Sequence, residues 1–236
     1  MTVKYIFSGD SWALKGFTDE NWDKANQEPL PQDIRLADFW DIDYKPIVFP
    51  GKGNLSCLEK IVKANVDPDL PIVWIYTEPG RDYNLMTGRD EFEWITSEET
   101  FELRQQLDEY IMEKIANTLT NPIAFIGGLS DVDVELAEKH GFTVLHPSWQ
   151  KWISEYCNSS HFEFGWGAGD IGWHADYDNV IPSKTALFAW DEQIKEWCSW
   201  QEYDMFCHEH PTIKANVLFA HHLKQTALEW IYSHAK

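Results

Sequence analysis

The sequence is poor in positive charge. Its 19 lysine and arginine residues stand against 39 aspartate and glutamate residues, which gives a formal net charge of −20 at pH 7. A charge of this sign repels phosphate backbones and anionic lipid headgroups, so we expect neither a nucleic acid nor a membrane among the partners. The excess of carboxylates is typical of a well-solvated protein surface.

Cysteine is also scarce, and long apolar runs are absent. Four cysteines in 236 residues do not make a disulfide framework, so we expect reduced thiols in a cytoplasm-like compartment. No apolar run approaches the ~20 residues that cross a bilayer. The N-terminal residues show no basic segment followed by an apolar one, so we expect no secretory signal.

Tryptophan, by contrast, is abundant, with 13 residues in the chain. Aromatic faces stack on sugar rings, but large aromatic side chains also fill cores and subunit interfaces, so a glycan ligand and an ordinary core role are both open. Several tryptophans and a run of glycines lie in the segment 147–203. We interpret this segment as an insertion that forms a lid, an aromatic substrate wall or an oligomer contact.

Short apolar runs alternate with segments of helical spacing along most of the chain. The apolar runs that predict strands lie at 3–7, 46–50, 71–76, 123–128 and 143–145. Helical stripes follow residues 56, 96, 133 and 212. The alternation predicts one domain over residues 1–236, a three-layer α/β/α sandwich whose doubly wound sheet has about five parallel strands.

The first of these strands ends abruptly. Its apolar run stops at Gly9, and Asp10 and Ser11 follow. Ligands of open α/β sheets bind at the carboxyl ends of the strands, where backbone N–H groups are free. Ser11 therefore stands where a nucleophile could attack a bound substrate.

The second strand is followed by a glycine loop. Gly51, Gly53 and Asn54 lie in it, and glycine lets the backbone approach a ligand closely, so all three are candidates for oxyanion or substrate binding. Ser56 and Glu59 have the spacing of a capping box, which predicts that a helix begins at Ser56.

The last helix is preceded by His210 and Pro211. An imidazole within reach of a serine hydroxyl takes its proton and makes it a nucleophile. The Gly-Asp-Ser turn that ends in Ser11, together with His210 near the C-terminus, resembles the SGNH, or GDSL-like, hydrolase family. The resemblance implies an esterase without a cofactor, in which Ser11 is the nucleophile and His210 the general base. It also implies an oxyanion hole that includes the N–H groups of Ser11 and Gly51.

Two groups of the family pattern are replaced in this chain. The family's acid stands two or three residues before the histidine, and this sequence has no carboxylate at either position. The candidates for orienting the imidazole, if any residue does so, are Asp204, Glu209 and His208, and we place Asp204 in the predicted catalytic set. The asparagine that usually stabilises the oxyanion is replaced by Thr77 or Glu78, and an ionised glutamate would repel the oxyanion. We therefore expect weak turnover of generic esters.

The segment from Thr77 to Arg81 has the pattern Thr-Glu-Pro-x-Arg, which is similar to SGNH-like proteins of bacteriophages. The resemblance makes Arg81 a further substrate-binding candidate and implies a virion or the cytoplasm of a bacterial host as the location. The predicted substrate is an acyl ester, such as an O-acetyl group, on a carbohydrate or a small molecule. The alternative is a catalytically weakened SGNH fold that binds glycan or serves as a phage structural protein, alone or as a homo-oligomer.

A second alternative is a metal site. Cys207, His208 and His210 lie close together in the sequence, and thiolate and imidazole suit zinc. Their spacing matches neither a helical i, i+4 pair nor a Cys-x-x-Cys motif. We therefore expect no metal at these residues.

Overall fold

The structure is a computed structural model, and it describes residues 3–10, 13, 35–49, 52–77, 79–82, 97–128, 131–149, 151–152, 159–164, 187–191, 196–199, 206–207, 210–211 and 213–235. For residues 80–81 and 97–104, and for the described residues from 159 to 214, the description covers the backbone alone.

Parallel strands form the central sheet. In chain order they are β1 (Tyr5–Gly9), β2 (Tyr44–Val48), β3 (Ile72–Tyr76), β4 (Ile123–Gly127) and β5 (Thr143–His146). Their order across the sheet is β2-β1-β3-β4-β5, and every neighbouring pair is parallel. The carboxyl ends of the strands therefore lie at one edge, which we call the carboxyl edge. The predicted parallel, doubly wound sheet is confirmed.

The described helices separate these strands or follow them. They are α1 (Asn54–Lys63), α2 (Ser97–Thr118), α3 (Val134–Lys139) and α4 (Ile213–His234). Short 3₁₀ helices lie at Leu36–Trp40 and Pro79–Asp82. Among the residues that the structure describes, no helix combines the length and the apolar character needed to cross a membrane.

Successive strand residues point to opposite faces of the sheet, and helices cover both faces. Phe7 and Ile75 lie in a buried core with α4 and the first 3₁₀ helix. Ile6 and Trp74 lie in a second core with α1, α2 and α3 on the other face. Burial on both faces explains the mainly apolar sequences of β1, β3 and β4, in which every residue is buried. The predicted three-layer α/β/α arrangement is confirmed.

The path of the chain across the sheet reverses direction at β1. The step from β1 to β2 passes over the α4 face, where the first 3₁₀ helix lies. The steps from β2 to β3, β4 and β5 run the other way across the sheet, with α1, α2 and α3 on the opposite face. A change of both direction and face preserves the hand of the crossovers, as parallel strands require. In open α/β sheets the ligand-binding crevice lies at such a reversal, which here is at the carboxyl ends of β1 and β3.

Smaller antiparallel sheets occur in the sequence between β5 and α4. One contains β6 (Ser159–Phe164), β7 (Leu187–Asp191) and β8 (Glu196–Ser199), and the other contains β9 (Phe206–Cys207) and β10 (His210–Pro211). The three-stranded sheet lies within the predicted insertion, 147–203. Its strands were not predicted, because β6 and β8 contain no apolar run longer than two residues and the apolar run of β7 was included in the predicted insertion.

The first part of the predicted insertion belongs to the core. Trp149 is fully buried, and its ring stacks on Phe219 of α4 with the ring centroids 4.7 Å apart. Trp152 packs against the same phenyl ring. These two tryptophans thus have the core role and fasten the chain after β5 to α4. Trp166 and Trp173 lie outside the described residues.

The edge of the sheet opposite the carboxyl edge carries two tyrosines and a carboxylate. The Tyr44 hydroxyl donates a hydrogen bond to Asp38, and the rings of Tyr5 and Tyr44 pack with centroids 5.5 Å apart. Burial raises the pKa of both tyrosines, and the nearby charge of Asp38 raises it further. The phenols therefore stay protonated at neutral pH, and they fix the first 3₁₀ helix to the sheet rather than supply a general base.

Gly9, the last residue of β1, has a backbone conformation that favours glycine. Its φ is +142°, a region that residues with a side chain rarely adopt. A Cβ atom at this position would lie 2.7 Å from the Ile75 carbonyl oxygen on β3 and 3.0 Å from the Ala13 Cβ atom. Glycine therefore lets the chain leave β1 in close contact with β3, at the crevice where the path across the sheet reverses.

Gly9→Ala should lower the free energy of unfolding by about 3 kcal/mol or more, because the methyl group adds steric overlap to backbone strain. Gly141→Ala is the matched control. Gly141 also has a positive φ, +82°, but no described atom lies within 4 Å of the position that its Cβ atom would take. The control should therefore cost only about 1–2 kcal/mol. Urea denaturation followed by tryptophan fluorescence measures both losses, and equal losses would contradict the steric role of Gly9.

Candidate functional site

A buried hydrogen bond joins the exits of β1 and β3 at the carboxyl edge. Asp10 follows β1, Thr77 follows β3, and each residue is 1% exposed. The Thr77 hydroxyl donates to the Asp10 carboxylate over 2.8 Å. A buried carboxylate is costly unless hydrogen bonds replace its water, so this bond stabilises the position of both exits. Ser11 is the residue that follows Asp10 in the sequence.

Thr77 is held in turn by Asn54, the first residue of α1. The Asn54 side-chain nitrogen donates to the Thr77 carbonyl over 2.9 Å, and the Thr77 N–H donates to the Asn54 side-chain oxygen over 3.1 Å. Asn54 is fully buried. The backbone carbonyl and N–H of Thr77 thus bond the nitrogen and the oxygen of the Asn54 side chain. In this arrangement Asn54, a predicted substrate-binding residue, positions the exit of β3.

The loop after Thr77 returns to the same helix. Asp82, in the second 3₁₀ helix, accepts a hydrogen bond from the Leu55 N–H over 3.1 Å. A carboxylate at a helix N-terminus satisfies an unpaired N–H group and interacts favourably with the helix dipole. Gly53 makes room for this contact, because a Cβ atom there would lie 2.1 Å from Asp82 Oδ1. The loop is therefore fastened to α1 at both of its ends.

This remote cap corrects the predicted start of α1. The spacing of Ser56 and Glu59 predicted a start at Ser56, but the helix begins at Asn54 with Gly53 as its N-cap. The carboxylate that serves the first turn is that of Asp82, 27 residues away in the sequence from the N–H group that it accepts. The predicted capping box is therefore wrong, because a long-range contact supplies the cap.

The backbone that leads into the Gly-Asp-Ser turn is fixed from several sides. The Gly9 carbonyl accepts the Phe49 N–H over 2.9 Å and the Cys57 thiol of α1 over 3.3 Å. One residue earlier, the Ser8 hydroxyl donates to the Ile47 carbonyl of β2 over 2.8 Å. A catalytic side chain reacts efficiently only when its support is rigid, and these contacts provide such a support directly before Ser11.

The helix that follows the predicted base begins at the same edge. α4 runs antiparallel to β5, since Trp230 near its end donates to Thr143 at the start of β5, whereas Phe219 contacts His146 at the end of β5. The N-terminus of α4 therefore lies at the carboxyl edge. His210, in β10, precedes that N-terminus by three residues.

The predicted site residues fall into three groups. Gly53, Asn54 and Thr77 are described, and they lie together at the carboxyl edge. Arg81 and His210 are described by their backbones alone. The predicted residues outside the described ranges are Ser11, Gly51, Glu78, Asp204, His208 and Glu209. Their roles stay predictions.

The residues of the metal alternative belong to the β9–β10 hairpin. Cys207 and His210 are directly paired across it, and His208 lies outside the described residues. Among the side chains that the structure describes, no group of three or more His, Cys, Asp or Glu residues could hold a metal ion. The side chains of the hairpin are not among them, so the prediction that it binds no metal stays a prediction.

Asp10 and Asp82 had no predicted role. Asp10 gave a usable signal, because a carboxylate directly after a buried strand and a glycine turn has little access to water and must find a partner. Asp82 gave none, because its contacts with Gly53 and Leu55 depend on how two distant segments meet.

Gly53→Ala should lower the free energy of unfolding by about 2 kcal/mol, because the new methyl group displaces the Asp82 carboxylate from α1. Asp82→Ala should cost about 1–2 kcal/mol through the loss of the cap. In the double variant, the loss in free energy of unfolding should be smaller than the sum of the two single losses by about 1 kcal/mol or more. The reason is that the carboxylate that the methyl group would displace is already absent. Urea denaturation of the unaltered protein, the two single variants and the double variant measures these losses. If the loss of the double variant equals the sum of the two single losses, the contact between Gly53 and Asp82 is contradicted.

A search against protein-family models and a search of curated proteins both find no match for this chain.

Proposed function

We propose that the chain is a serine hydrolase of the SGNH type that cleaves an ester, such as an O-acetyl or another acyl group on a carbohydrate or a small molecule. Ser11 is the nucleophile, and His210 is the general base. Asp204 orients the imidazole, and the N–H groups of Ser11 and Gly51 stabilise the oxyanion.

The observation that supports this proposal is the junction of Asp10 with Thr77 where the path across the sheet reverses. Ligands of doubly wound sheets bind at this reversal. Gly9 turns the chain into the crevice, Asp10 is fixed there by its hydrogen bond, and Ser11 is the next residue. The N-terminus of α4 lies at the same edge, which favours a base from the segment just before that helix.

The proposed reaction has two steps. In the first, the His210 imidazole takes the proton of the Ser11 hydroxyl while the serine oxygen bonds to the ester carbonyl carbon. Backbone N–H groups donate to the oxyanion that forms. The bond to the alcohol oxygen then breaks, and the imidazolium gives its proton to the leaving alcohol. In the second step, water attacks the acyl-serine with the same base, and the carboxylic acid is released.

Oxyanion stabilisation falls mainly to the backbone in this chain. The Thr77 hydroxyl donates its one proton to Asp10, and the Asn54 amide bonds the Thr77 backbone through both its nitrogen and its oxygen, so we assign these two side chains to the support of the strand exits and the oxyanion to backbone N–H groups. The loss of one oxyanion donor costs about 3–4 kcal/mol, or ~10²–10³ in rate. Slow hydrolysis is therefore expected of this site.

The unaltered protein should hydrolyse p-nitrophenyl acetate below the ~10 s⁻¹ of a median enzyme. Ser11→Ala should abolish this hydrolysis, because the nucleophile is removed. Ser56→Ala removes a hydroxyl on α1 instead and, as the control, should keep the rate. Absorbance of the released p-nitrophenolate measures turnover. A fluorophosphonate should label Ser11, and peptide mass spectrometry locates the label.

Turnover that persists in Ser11→Ala, or a fluorophosphonate adduct on another residue, would contradict the proposed nucleophile. An unaltered protein that neither turns over esters nor reacts with the fluorophosphonate would exclude a working serine hydrolase. That outcome would favour the alternative in which the same fold binds glycan or has a structural role.

A further inference from the structure

We propose that Asp10 is a positioning residue for the nucleophile Ser11. Through its hydrogen bond with Thr77, Asp10 holds Ser11 in its reactive geometry. This inference rests on the proposed function. It assigns a role in the reaction to a carboxylate that does not itself contact the substrate.

Asp10 is suited to this role because its surroundings leave it little freedom. Its side chain is 1% exposed, and the Thr77 hydroxyl donates to Asp10 Oδ2 over 2.8 Å. Thr77 is anchored by both its N–H and its carbonyl to the Asn54 amide, and Asn54 is the first residue of α1. The carboxylate is therefore tied to a fixed point outside its own strand.

The tie bears on reactivity because Asp10 and Ser11 share a peptide bond. The bond to Thr77 restricts the conformations open to Asp10, and Ser11 is bonded directly to the Asp10 backbone. An attacking oxygen must come within ~3–3.5 Å of the carbonyl carbon, and a misplacement of about 1 Å costs ~10²-fold in rate. A looser turn should therefore lower kcat and leave KM nearly unchanged, because the substrate-binding surface itself is not altered.

A second hydroxyl–carboxylate pair on the same strand supplies a matched control. The Tyr76 hydroxyl donates to Asp108 of α2 over 2.6 Å, and both residues are buried. Tyr76 is the neighbour of Thr77, but its side chain packs in the second core, against α2 and away from the Gly-Asp-Ser turn. Tyr76→Phe and Thr77→Val thus each remove one hydroxyl that donates to a buried carboxylate, and only the second removal touches the turn.

The test compares Thr77→Val, Thr77→Ser and Tyr76→Phe with the unaltered protein, using p-nitrophenyl acetate for kcat and KM. The rate of fluorophosphonate labelling reports the reactivity of Ser11 without turnover, and urea denaturation reports stability. Thr77→Val should lower kcat and the labelling rate by about 10-fold to 100-fold with KM nearly unchanged. Thr77→Ser, which keeps the donor, should restore both rates to within about threefold, and Tyr76→Phe should keep them within about twofold.

Equal losses of kcat in Thr77→Val and Tyr76→Phe, or a serine variant no better than the valine variant, would overturn the positioning role and leave the proposed function intact. An unaltered protein without any Ser11-dependent reaction would overturn the proposed function, and the inference with it. If Thr77→Val does not fold, Asp10→Asn takes its place. That variant keeps an acceptor oxygen but weakens the bond about twofold, so kcat should fall several-fold, and an unchanged kcat would overturn the inference.

Discussion

The hydrogen bond from Thr77 to Asp10 joins the exits of β1 and β3, the neighbouring strands between which the path of the chain across the sheet reverses. The connection from β1 leads to the face of the sheet that α4 covers, and the connection to β3 carries α1 on the opposite face. A buried carboxylate needs hydrogen bonds in place of its water, and the Thr77 hydroxyl supplies one of them. This bond therefore stabilises the exit of β1 and the exit of β3 relative to each other.

The surrounding hydrogen bonds connect Asp10 and Thr77 to α1 and to the central sheet. Asn54 holds the backbone of Thr77, and Asp82 holds the far end of the loop to the first turn of α1. The Gly9 carbonyl is held by β2 and α1. The sheet below is buried on both faces, so it can carry such contacts with little motion. Asn54 and Thr77, two of the predicted substrate-binding residues, thus take part in the support of the strand exits.

Much of the fold could be predicted from the sequence, because a strand that is buried on both faces must be an unbroken apolar run. The runs that became β1, β3 and β4 are of this kind, and the helices between strands followed from their apolar stripes. The strands between residues 159 and 199 were not predicted, because β6 and β8 contain no apolar run longer than two residues and the apolar run of β7 was included in the predicted insertion. The local pattern of apolar and polar residues does not specify how β6, β7 and β8 pair with one another.

The exits of β1 and β3 were predictable from the sequence, whereas the contacts that hold them were not. Gly9 and Asp10 mark the exit of a buried strand, and such exits are where ligands bind in these sheets. The cap by Asp82 and the two-sided bond of Asn54 to Thr77 join residues 23 to 27 positions apart. Contacts of this kind depend on how separate elements pack, which neither spacing nor propensity encodes, and the capping box at Ser56 failed for that reason.

A crystal structure of the protein after reaction with a fluorophosphonate would test the central claim most directly, because the adduct places a tetrahedral centre where the ester would react. We expect a covalent bond from phosphorus to the Ser11 hydroxyl oxygen, with a ring nitrogen of His210 within about 3.5 Å of that oxygen. We also expect the phosphonyl oxygen to face the N–H groups of Ser11 and Gly51. A well-ordered His210 more than ~8 Å from the Ser11 hydroxyl oxygen would contradict the claim that these two residues form one catalytic site.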